Sequence, residues 1–376
     1  GWYDLAAGIN PANSDELIVG GLDCYRTLDG GTSWTKITSW ATSTAGFYVH
    51  ADHHDIQWWD GGNKLLFACD GGIYFSTDKG SNSTDRNQGL RIKQFYSIAI
   101  HPNETNYFIA GAQDNGMHRL NHVGLDSSIE TYGGDGAYCA IDQNEPEYQF
   151  GSYVYNVYRR STNNGATWST PVNNQLSGRF INPWDYDNTG NIIYACNASG
   201  NFLRWNNPQT GSLTDVVTAT GQSGNVSAVH VSPYTANRVF FGTGIGNLYI
   251  VDNANTGTTV TATSISPGLG AYLNCVVTGS SDQNLIACYS SYGVNNVWLS
   301  TNGGTSWTQC DGNLPDMPVR WALFNPDDNT KAYIATETGV WETDLLNGGA
   351  TVWVPNTSFP NVRVDMIKYR ASDRTI

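Results

Sequence analysis

One short segment combines residue types that bind metals. Residues 50–55 read "HADHHD", and on a strand the alternation of side chains would place His50, Asp52 and His54 on one face. A His-x-Asp-x-His face could bind zinc or another transition metal. Alternate side chains on a strand are about 6.5–7 Å apart, so at most two of the three would reach one ion. The alternative is that these side chains bond to one another and to water along an inner strand.

Two loop carboxylates are the best available candidates for acid–base chemistry. Asp114 lies in "GAQDNG" and Asp135 in "GGDG". Glycoside hydrolases place two carboxyl groups about 5–9.5 Å apart across the scissile bond. Asp beside Gly is also typical of a turn that has no catalytic role, and this structural interpretation is favoured. No cofactor is expected, although loop oxygens around Asp135 or Asp311 could bind calcium.

Aromatic residues are the candidates for binding. The chain has 13 Trp and 21 Tyr, and their large amphipathic side chains suit contacts with sugars or proteins. The alternative for each is packing between neighbouring sheets. The candidates, predicted at strand ends or in loops, are Trp58, Trp59, Tyr153 and Tyr155, followed by Tyr158, Tyr289 and Tyr292.

One eight-residue pattern occurs three times. It reads "TLDGGTSW" at 27–34, "STNNGATW" at 161–168 and "STNGGTSW" at 300–307. We expect a hairpin in which a short Asp or Asn side chain accepts turn amides, a Gly has positive φ and a Trp covers the turn. A degenerate copy with Asp78 and Gly80 lacks the Trp. The predicted structural residues are Asp29, Gly31, Trp34, Asn163, Gly165, Trp168, Asn302, Gly304 and Trp307.

The hairpin pattern belongs to a longer repeat of about 45 residues. Each copy has short apolar strands separated by turns, which is typical of a four-stranded propeller blade. Eight copies are visible, and a ninth begins in residues 361–376. The sequence therefore predicts an all-β fold, a β-propeller of about seven to nine four-stranded blades. We expect residues 1–376 to form one propeller and to be part of a longer multidomain chain, because an incomplete blade would expose a strand edge.

Composition excludes several classes of partner. Only 14% of residues are charged, and 33 acidic against 19 basic residues give a net charge of -14. Nucleic acid and anionic membrane surfaces both require a basic face, so neither is expected as a partner. No apolar segment reaches the length of a membrane span, and the first residues do not resemble a signal peptide.

Five of the seven cysteines are predicted to be buried free thiols, and no prediction is made for Cys24 and Cys310, which lie elsewhere in the repeat. Cys69, Cys196 and Cys288 take the place of small residues in other repeats, and Cys139 and Cys275 take the place of Ile98. Cysteines at equivalent positions of different blades would be too far apart for a disulfide. They are expected to pack as small hydrophobic residues.

The hairpin pattern is identified as the Asp-box, or BNR, motif of sialidases, xyloglucan-type hydrolases, sortilin-type receptors and a photosystem-assembly propeller. Segments such as "YVHADHHDIQW", "GGDGAYCAIDQNEP" and "LPDMPVRWALFNP" resemble large secreted BNR-repeat proteins that bacteria export by type IX secretion. The resemblance covers nearly the whole chain. It implies an extracellular or cell-surface location, further modules in the same chain and adhesion.

The expected function is non-catalytic. We expect adhesion, glycan or protein binding, or scaffolding of a surface assembly, with a glycan or a surface protein as partner. The alternative is a glycoside hydrolase of the xyloglucanase type. Sialidase chemistry is disfavoured because the Arg-Ile-Pro signature is missing, and the nearest segment, "LRIK" at 90–93, has no Pro.

Overall fold

The computed structural model describes residues 3–42, 45–90, 93–123, 128–212 and 214–376. The chain divides into two units, Gly1–Lys93 (unit 1) and Gln94–Ile376 (unit 2). The described residues form eight four-stranded antiparallel meanders in chain order, each of which is a propeller blade. The predicted all-β propeller architecture is confirmed, whereas one propeller spanning 1–376 stays a prediction.

Unit 1 contains blades 1 and 2. Their strands are β1 (Ala6–Asn10), β2 (Asn13–Gly20), β3 (Cys24–Thr27) and β4 (Thr35–Lys36), then β5 (His53–Trp59), β6 (Lys64–Cys69), β7 (Gly72–Ser76) and β8 (Thr84–Asp85).

Unit 2 contains blades 3 to 8. The strands of blades 3 to 5 are β9 (Ser97–Ile100), β10 (Phe108–Ala112), β11 (Gly116–Leu120), β12 (Ile129–Tyr132), β13 (Cys139–Ile141), β14 (Gln149–Ser152), β15 (Asn156–Ser161), β16 (Asn173–Gln175), β17 (Trp184–Asp187), β18 (Ile192–Cys196), β19 (Asn201–Asn206) and β20 (Thr214–Thr220). The strands of blades 6 to 8 are β21 (Val226–Val231), β22 (Val239–Thr243), β23 (Leu248–Val251), β24 (Thr259–Ser264), β25 (Leu273–Thr278), β26 (Leu285–Tyr289), β27 (Val297–Ser300), β28 (Thr308–Gln309), β29 (Val319–Asn325), β30 (Asp328–Thr336), β31 (Gly339–Thr343) and β32 (Val354–Pro355).

The second strands of several blades are buried on both faces. In β18, β22 and β26 every residue is buried, and their sequences are runs of apolar residues rather than alternating patterns. A strand covered on both sides needs such a run. Each hydrophobic cluster joins two successive blades, as where Phe202 of blade 5 stacks on Phe241 of blade 6 with ring centroids 4.9 Å apart.

The meander gives every blade two different ends. The turns between first and second strands and the hairpins between third and fourth strands lie at one end, which we call the hairpin end. The loops between second and third strands and the connections to the next blade lie at the other. The loop ends of blades 3 to 8 together are called the loop face of unit 2.

Residues 362–376 pack against both the last and the first blade of unit 2. The Val364 N–H donates to the Thr336 carbonyl of β30, and the Ile98 N–H of β9 donates to Met366 Sδ at 3.5 Å. The buried Arg370 guanidinium donates to the carbonyls of Glu104 and Thr105 at 3.0 and 2.7 Å. The predicted ninth repeat therefore contributes a segment that links blade 8 to blade 3.

All seven cysteines are buried with free thiols in this structure. This confirms the prediction for Cys69, Cys139, Cys196, Cys275 and Cys288, and it adds Cys24 and Cys310, for which none was made. Burial raises the pKa of each thiol, to about 12 for Cys139 and to about 11 for Cys196. The helical content of the described residues is one 3-10 turn, Gly348–Ala350. Among these residues, no helix has the length and apolar character needed to span a bilayer.

Candidate functional site

The two loop carboxylates predicted from sequence lie side by side on the loop face of unit 2. Asp114 follows β10 with a φ of 56°, and its backbone N–H donates to Oδ1 of Asp135 at 3.1 Å. Asp114 is exposed, whereas Asp135 is 8% exposed. One carboxylate therefore faces solvent while its neighbour joins the two loops.

Two tyrosines, Tyr96 and Tyr153, lie near this pair of carboxylates. We call Asp114, Asp135, Tyr96 and Tyr153 together the Asp135 cluster. Burial raises the pKa of Tyr153, and the charge and hydrogen-bonding contact of Asp135 raise it further. Burial also raises the pKa of Tyr96, and the nearby Asp135 and Asp114 add to the shift, while Arg363 opposes it. Both phenols stay protonated at neutral pH, which suits hydrogen-bond donation rather than nucleophilic attack.

Glycines allow the loops of the Asp135 cluster to come this close. Gly134 has a φ of 84°, and a Cβ there would lie 2.8 Å from Cε2 of Tyr153. A Cβ on Gly136 would lie 2.2 Å from the Gly116 carbonyl oxygen. The "GGDG" segment is thus needed for close approach of backbone and ring, which is a structural reason for the pattern.

Exposed aromatic and apolar side chains continue along the loop face. The ring of the predicted Tyr155 contacts Phe180 edge-on at 6.0 Å, and the Tyr155 N–H donates to the Phe180 carbonyl at 2.9 Å. Phe180 is 44% exposed, Ile245 is 53% exposed and Tyr292 is 67% exposed. Sequence reasoning missed Phe180 and Ile245, since neither belongs to an aromatic pair.

Two other aromatic predictions are corrected by the structure. Tyr158 and Tyr289 are fully buried within β15 and β26, not placed in exposed loops. Tyr158 packs against Trp184 and Trp205, and the Tyr289 hydroxyl donates to the Gly246 carbonyl at 3.2 Å. Both have the packing role that was the alternative.

The predicted tryptophan pair lies at the hairpin end of blade 2 in unit 1. Trp59 is 61% exposed and contacts Phe75 edge-on at 6.5 Å. Trp58 is half-buried against the core of unit 1. Only Trp59 therefore offers a ring to a partner.

The "HADHHD" segment departs from the strand geometry expected for it. Strand β5 begins at His53, and Asp52 has a φ of 61°, so side-chain alternation does not extend back to His50. Within the described part of the chain, His50, Asp52 and His54 do not bring three ligand atoms within 4.8 Å of one another. His54 Nε2 instead lies 2.5 Å from Oδ1 of Asp70. Burial raises the pKa of Asp52, and Asp70 and Asp4 raise it further.

Each of the four hairpin turns contains the same pattern of three hydrogen bonds. In the first, Asp29 Oδ1 accepts the Ser33 N–H at 2.8 Å and the Thr27 hydroxyl at 2.7 Å, and the Thr27 oxygen accepts the Gly31 N–H at 2.9 Å. The same three contacts occur around Asp78, Asn163 and Asn302. Asp and Asn act alike because a side-chain oxygen is the acceptor in each.

The turn glycines and tryptophans complete these hairpins. Gly31, Gly80, Gly165 and Gly304 all have positive φ, as do the residues before them, Gly30, Lys79, Asn164 and Gly303. Sequence reasoning missed this second position. The indole N–H of Trp34 donates to the Gly31 carbonyl at 3.1 Å, and that of Trp307 donates to the Ile265 carbonyl at 2.7 Å. The Trp168 ring packs edge-on against Tyr132, with ring centroids 5.2 Å apart.

Asp311, the other residue considered for calcium, is used by the fold. Its two carboxylate oxygens accept the N–H groups of Asn296 and Val297 at 2.7 and 2.9 Å. Burial raises the pKa of Asp311, and these two hydrogen bonds oppose the shift. The Asp311 carboxylate therefore holds the backbone at the start of β27 in place.

The first strands of blades 4 to 8 surround a small cavity in unit 2. Its volume is about 40 Å³, enough for about three waters and too small for a sugar residue. His230 Nε2 bonds to the Thr278 hydroxyl at 3.0 Å, and its Nδ1 lies 3.8 Å from Asp185. Burial lowers the pKa of His230, so the imidazole is neutral at pH 7. The polar or aromatic lining residues include Tyr138, Asp185, His230, Asn274, Trp321 and Lys368.

Two residues of the segment nearest to a sialidase signature, Arg91 and Ile92, lie outside the described residues. In unit 2, the Arg179 guanidinium lies 5.2 Å from the centre of the Tyr272 ring and donates to the Val226 carbonyl at 2.6 Å. Arg320 donates to Glu337 at 2.8 Å. These two arginines are thus held by contacts within the protein.

Comparison with known proteins identifies fold neighbours only. No protein-family model and no curated protein matches the sequence. Among solved structures, YCF48 from Cyanidioschyzon merolae is similar, with 13% identity and a TM-score of 0.43 over 90% of this chain and 94% of that one. A structure of YCF48 bound to D1 peptide has 13% identity and a TM-score of 0.42, over 90% and 92% of the two chains. Similarity at this level does not identify a function for the present chain.

Proposed function

We propose that the chain is a secreted or cell-surface propeller that binds a glycan or a surface protein on the loop face of unit 2 without chemical turnover. Its role would be adhesion or scaffolding of a surface assembly. The observation that carries the proposal is the exposure of several aromatic and apolar side chains in the loops of this face, with Tyr155 and Phe180 in contact.

The chemistry of this surface suits a binding site. Tyr and Phe rings offer flat apolar areas to a sugar ring or a protein side chain. Asp114 and the phenols of the Asp135 cluster add acceptors and donors beside them. The net charge of -14 favours a neutral or basic partner over an acidic one.

Glycoside hydrolysis is the second candidate, because Asp114 and Asp135 lie side by side. Such an enzyme needs two carboxyl groups that both face the sugar. Asp135 is buried and accepts a backbone N–H from the neighbouring loop, so it serves the loops rather than a substrate. Binding is therefore favoured over hydrolysis.

Export and calcium binding are further parts of the proposal. The resemblance to type IX secretion substrates supports a location outside the cell. Calcium at the loop oxygens around Asp135 stays a prediction, which calorimetry with calcium alone would test.

The proposal is tested by binding to an array of neutral polysaccharides and to intact surface protein extracts. Phe180→Ala and Tyr155→Ala should each weaken binding about tenfold or more, because an aromatic contact is lost. Trp59→Ala, which removes a more exposed ring at the hairpin end of blade 2, is the control and should bind as the parent does. Equal binding by all three variants would overturn the choice of the loop face.

A further inference from the structure

Blade 7 contains two cysteines directly opposite each other. Cys275 of β25 and Cys288 of β26 are Cα partners in the antiparallel ladder. Opposite residues in such a ladder have Cα atoms about 4.5–5.5 Å apart. Disulfides span Cα separations of about 4.4–6.8 Å, so the backbone already has the required spacing.

The two side chains also point to the same side of the sheet. Cys275 and Cys288 both belong to the hydrophobic cluster that joins blade 7 to blade 8. The next pair along the ladder, Val276 and Ala287, belongs to the cluster on the opposite face, towards blade 6. Alternation along both strands therefore brings the two thiols together.

We propose that Cys275 and Cys288 form a cross-strand disulfide when the protein folds in an oxidising compartment. An S–S bond forms between the two Sγ atoms and both S–H bonds break. The oxidant is a disulfide, from a thiol–disulfide oxidoreductase or from oxidised glutathione. Its S–S bond is reduced, and the two protons leave with its two new thiols.

Burial determines when the bond forms. Exchange requires a thiolate, and burial raises the pKa of Cys275 to about 12 and that of Cys288 well above its ordinary value. The folded dithiol protein should therefore react slowly. Oxidation belongs to the folding chain, before blade 8 covers the pair, and the finished bond is then protected from reductants.

A third cysteine in the same cluster provides an internal control. The Cys310 N–H donates to the carbonyl of Val297, which is itself the ladder partner of Cys288. Cys310 is thus two strands from Cys288, about 9.5 Å at the usual strand spacing. That separation is too long for a disulfide without backbone movement.

The experiment refolds the full chain from denaturant in a mixture of oxidised and reduced glutathione. Free thiols are then alkylated under denaturing conditions and the peptides are mapped by mass spectrometry. Of the seven cysteines, five should be alkylated, and one linked peptide should join Cys275 to Cys288. Alkylation of all seven, or a link to another cysteine, would overturn the proposal.

Variants and thermal unfolding extend this test. Cys310→Ser should keep the link, and Cys288→Ser should abolish it and leave six alkylated thiols. The parent measurement stands even if a variant does not fold. Adding a reductant during refolding should lower the Tm by about 5 °C. Loss of the link in a folded Cys310→Ser variant would contradict the pairing of Cys275 with Cys288.

Discussion

The backbone N–H of Asp114 donates to the carboxylate of Asp135 at 3.1 Å. This bond joins the loop within blade 3 to the connection that leads to blade 4, and Tyr153 of blade 4 lies against the same carboxylate. Two acidic residues that could be interpreted as a catalytic pair are thus unequal. One is exposed, and the other organises three loops.

Removing the Asp135 carboxylate should destabilise unit 2. Asp135→Ala leaves the Asp114 N–H without its acceptor, and we expect the free energy of unfolding to fall by about 1–2 kcal/mol. Asp135→Asn keeps one acceptor oxygen and should cost less. Urea unfolding of the two variants checks the order, and an Asn variant that is less stable than the Ala variant would contradict this role.

The hairpin turns should accept Asp or Asn but not Ala. Asn302 Oδ1 accepts the Ser306 N–H at 2.9 Å and the Ser300 hydroxyl at 3.0 Å, as Asp29 does in the first hairpin. Asn302→Ala should cost about 1–2 kcal/mol of unfolding free energy, whereas Asn302→Asp should change it by less than about 0.5 kcal/mol. Thermal and urea unfolding measure both, and equal losses would show that the side-chain oxygen is not what matters.

Asp29 should make the stability of the protein depend on pH in acid. Hydrogen bonds from the Ser33 side chain and backbone and from Thr27 lower the pKa of Asp29 from 3.8 to about 2. Because the folded pKa is depressed, the stabilisation is complete above the unfolded pKa and is lost as pH falls from about 4 towards 2. NMR titration of the carboxyl carbon measures the pKa directly.

The Asp29→Asn variant isolates this contribution. Its amide does not titrate, so the Tm difference between parent and variant should be constant above about pH 5 and should change between pH 4 and pH 3 in the direction of a less stable parent. A difference that stays flat down to pH 3 would contradict the lowered pKa.

Arg370 should be a major contributor to the stability of unit 2. Its buried guanidinium donates to Glu104 and Thr105 carbonyls of blade 3 and to Asp373 at 2.8 and 2.7 Å. Arg370→Ala should lower the unfolding free energy by about 3 kcal/mol, because buried acceptors lose a charged donor. Arg374→Ala, at a side chain 67% exposed, is the control and should cost less than about 1 kcal/mol. Equal effects would show that residues 362–376 do not hold the blades together.

Much of the fold could be predicted from the sequence, because blade structure is local. A strand of alternating or continuous apolar residues and a turn with Gly at positive φ are visible in a few adjacent letters, as in "TLDGGTSW". The second left-handed position was missed because Lys79 and Asn164 occupy it in two of the four turns, and neither is a turn glycine.

The candidate site was harder to predict from the sequence, because it depends on contacts between loops far apart in the chain. Asp114, Asp135 and Tyr153 were each singled out, yet their meeting follows from how neighbouring blades pack. Tyr289 seemed suitable for binding by residue type, and its burial depends on the adjacent blade. Cys275 and Cys288 were compared with other blades rather than with each other, so their pairing across one ladder was missed.

Whether the chain binds polysaccharide without cleaving it is tested most directly by measuring protein retention and polysaccharide turnover on the same sample. The purified chain is incubated with insoluble xyloglucan and other β-glucans, and bound protein and released reducing ends are both quantified. We predict retention that Phe180→Ala weakens, with no release of reducing ends. Release of reducing sugar by the parent, abolished in Asp114→Asn or Asp135→Asn, would contradict a non-catalytic binding protein.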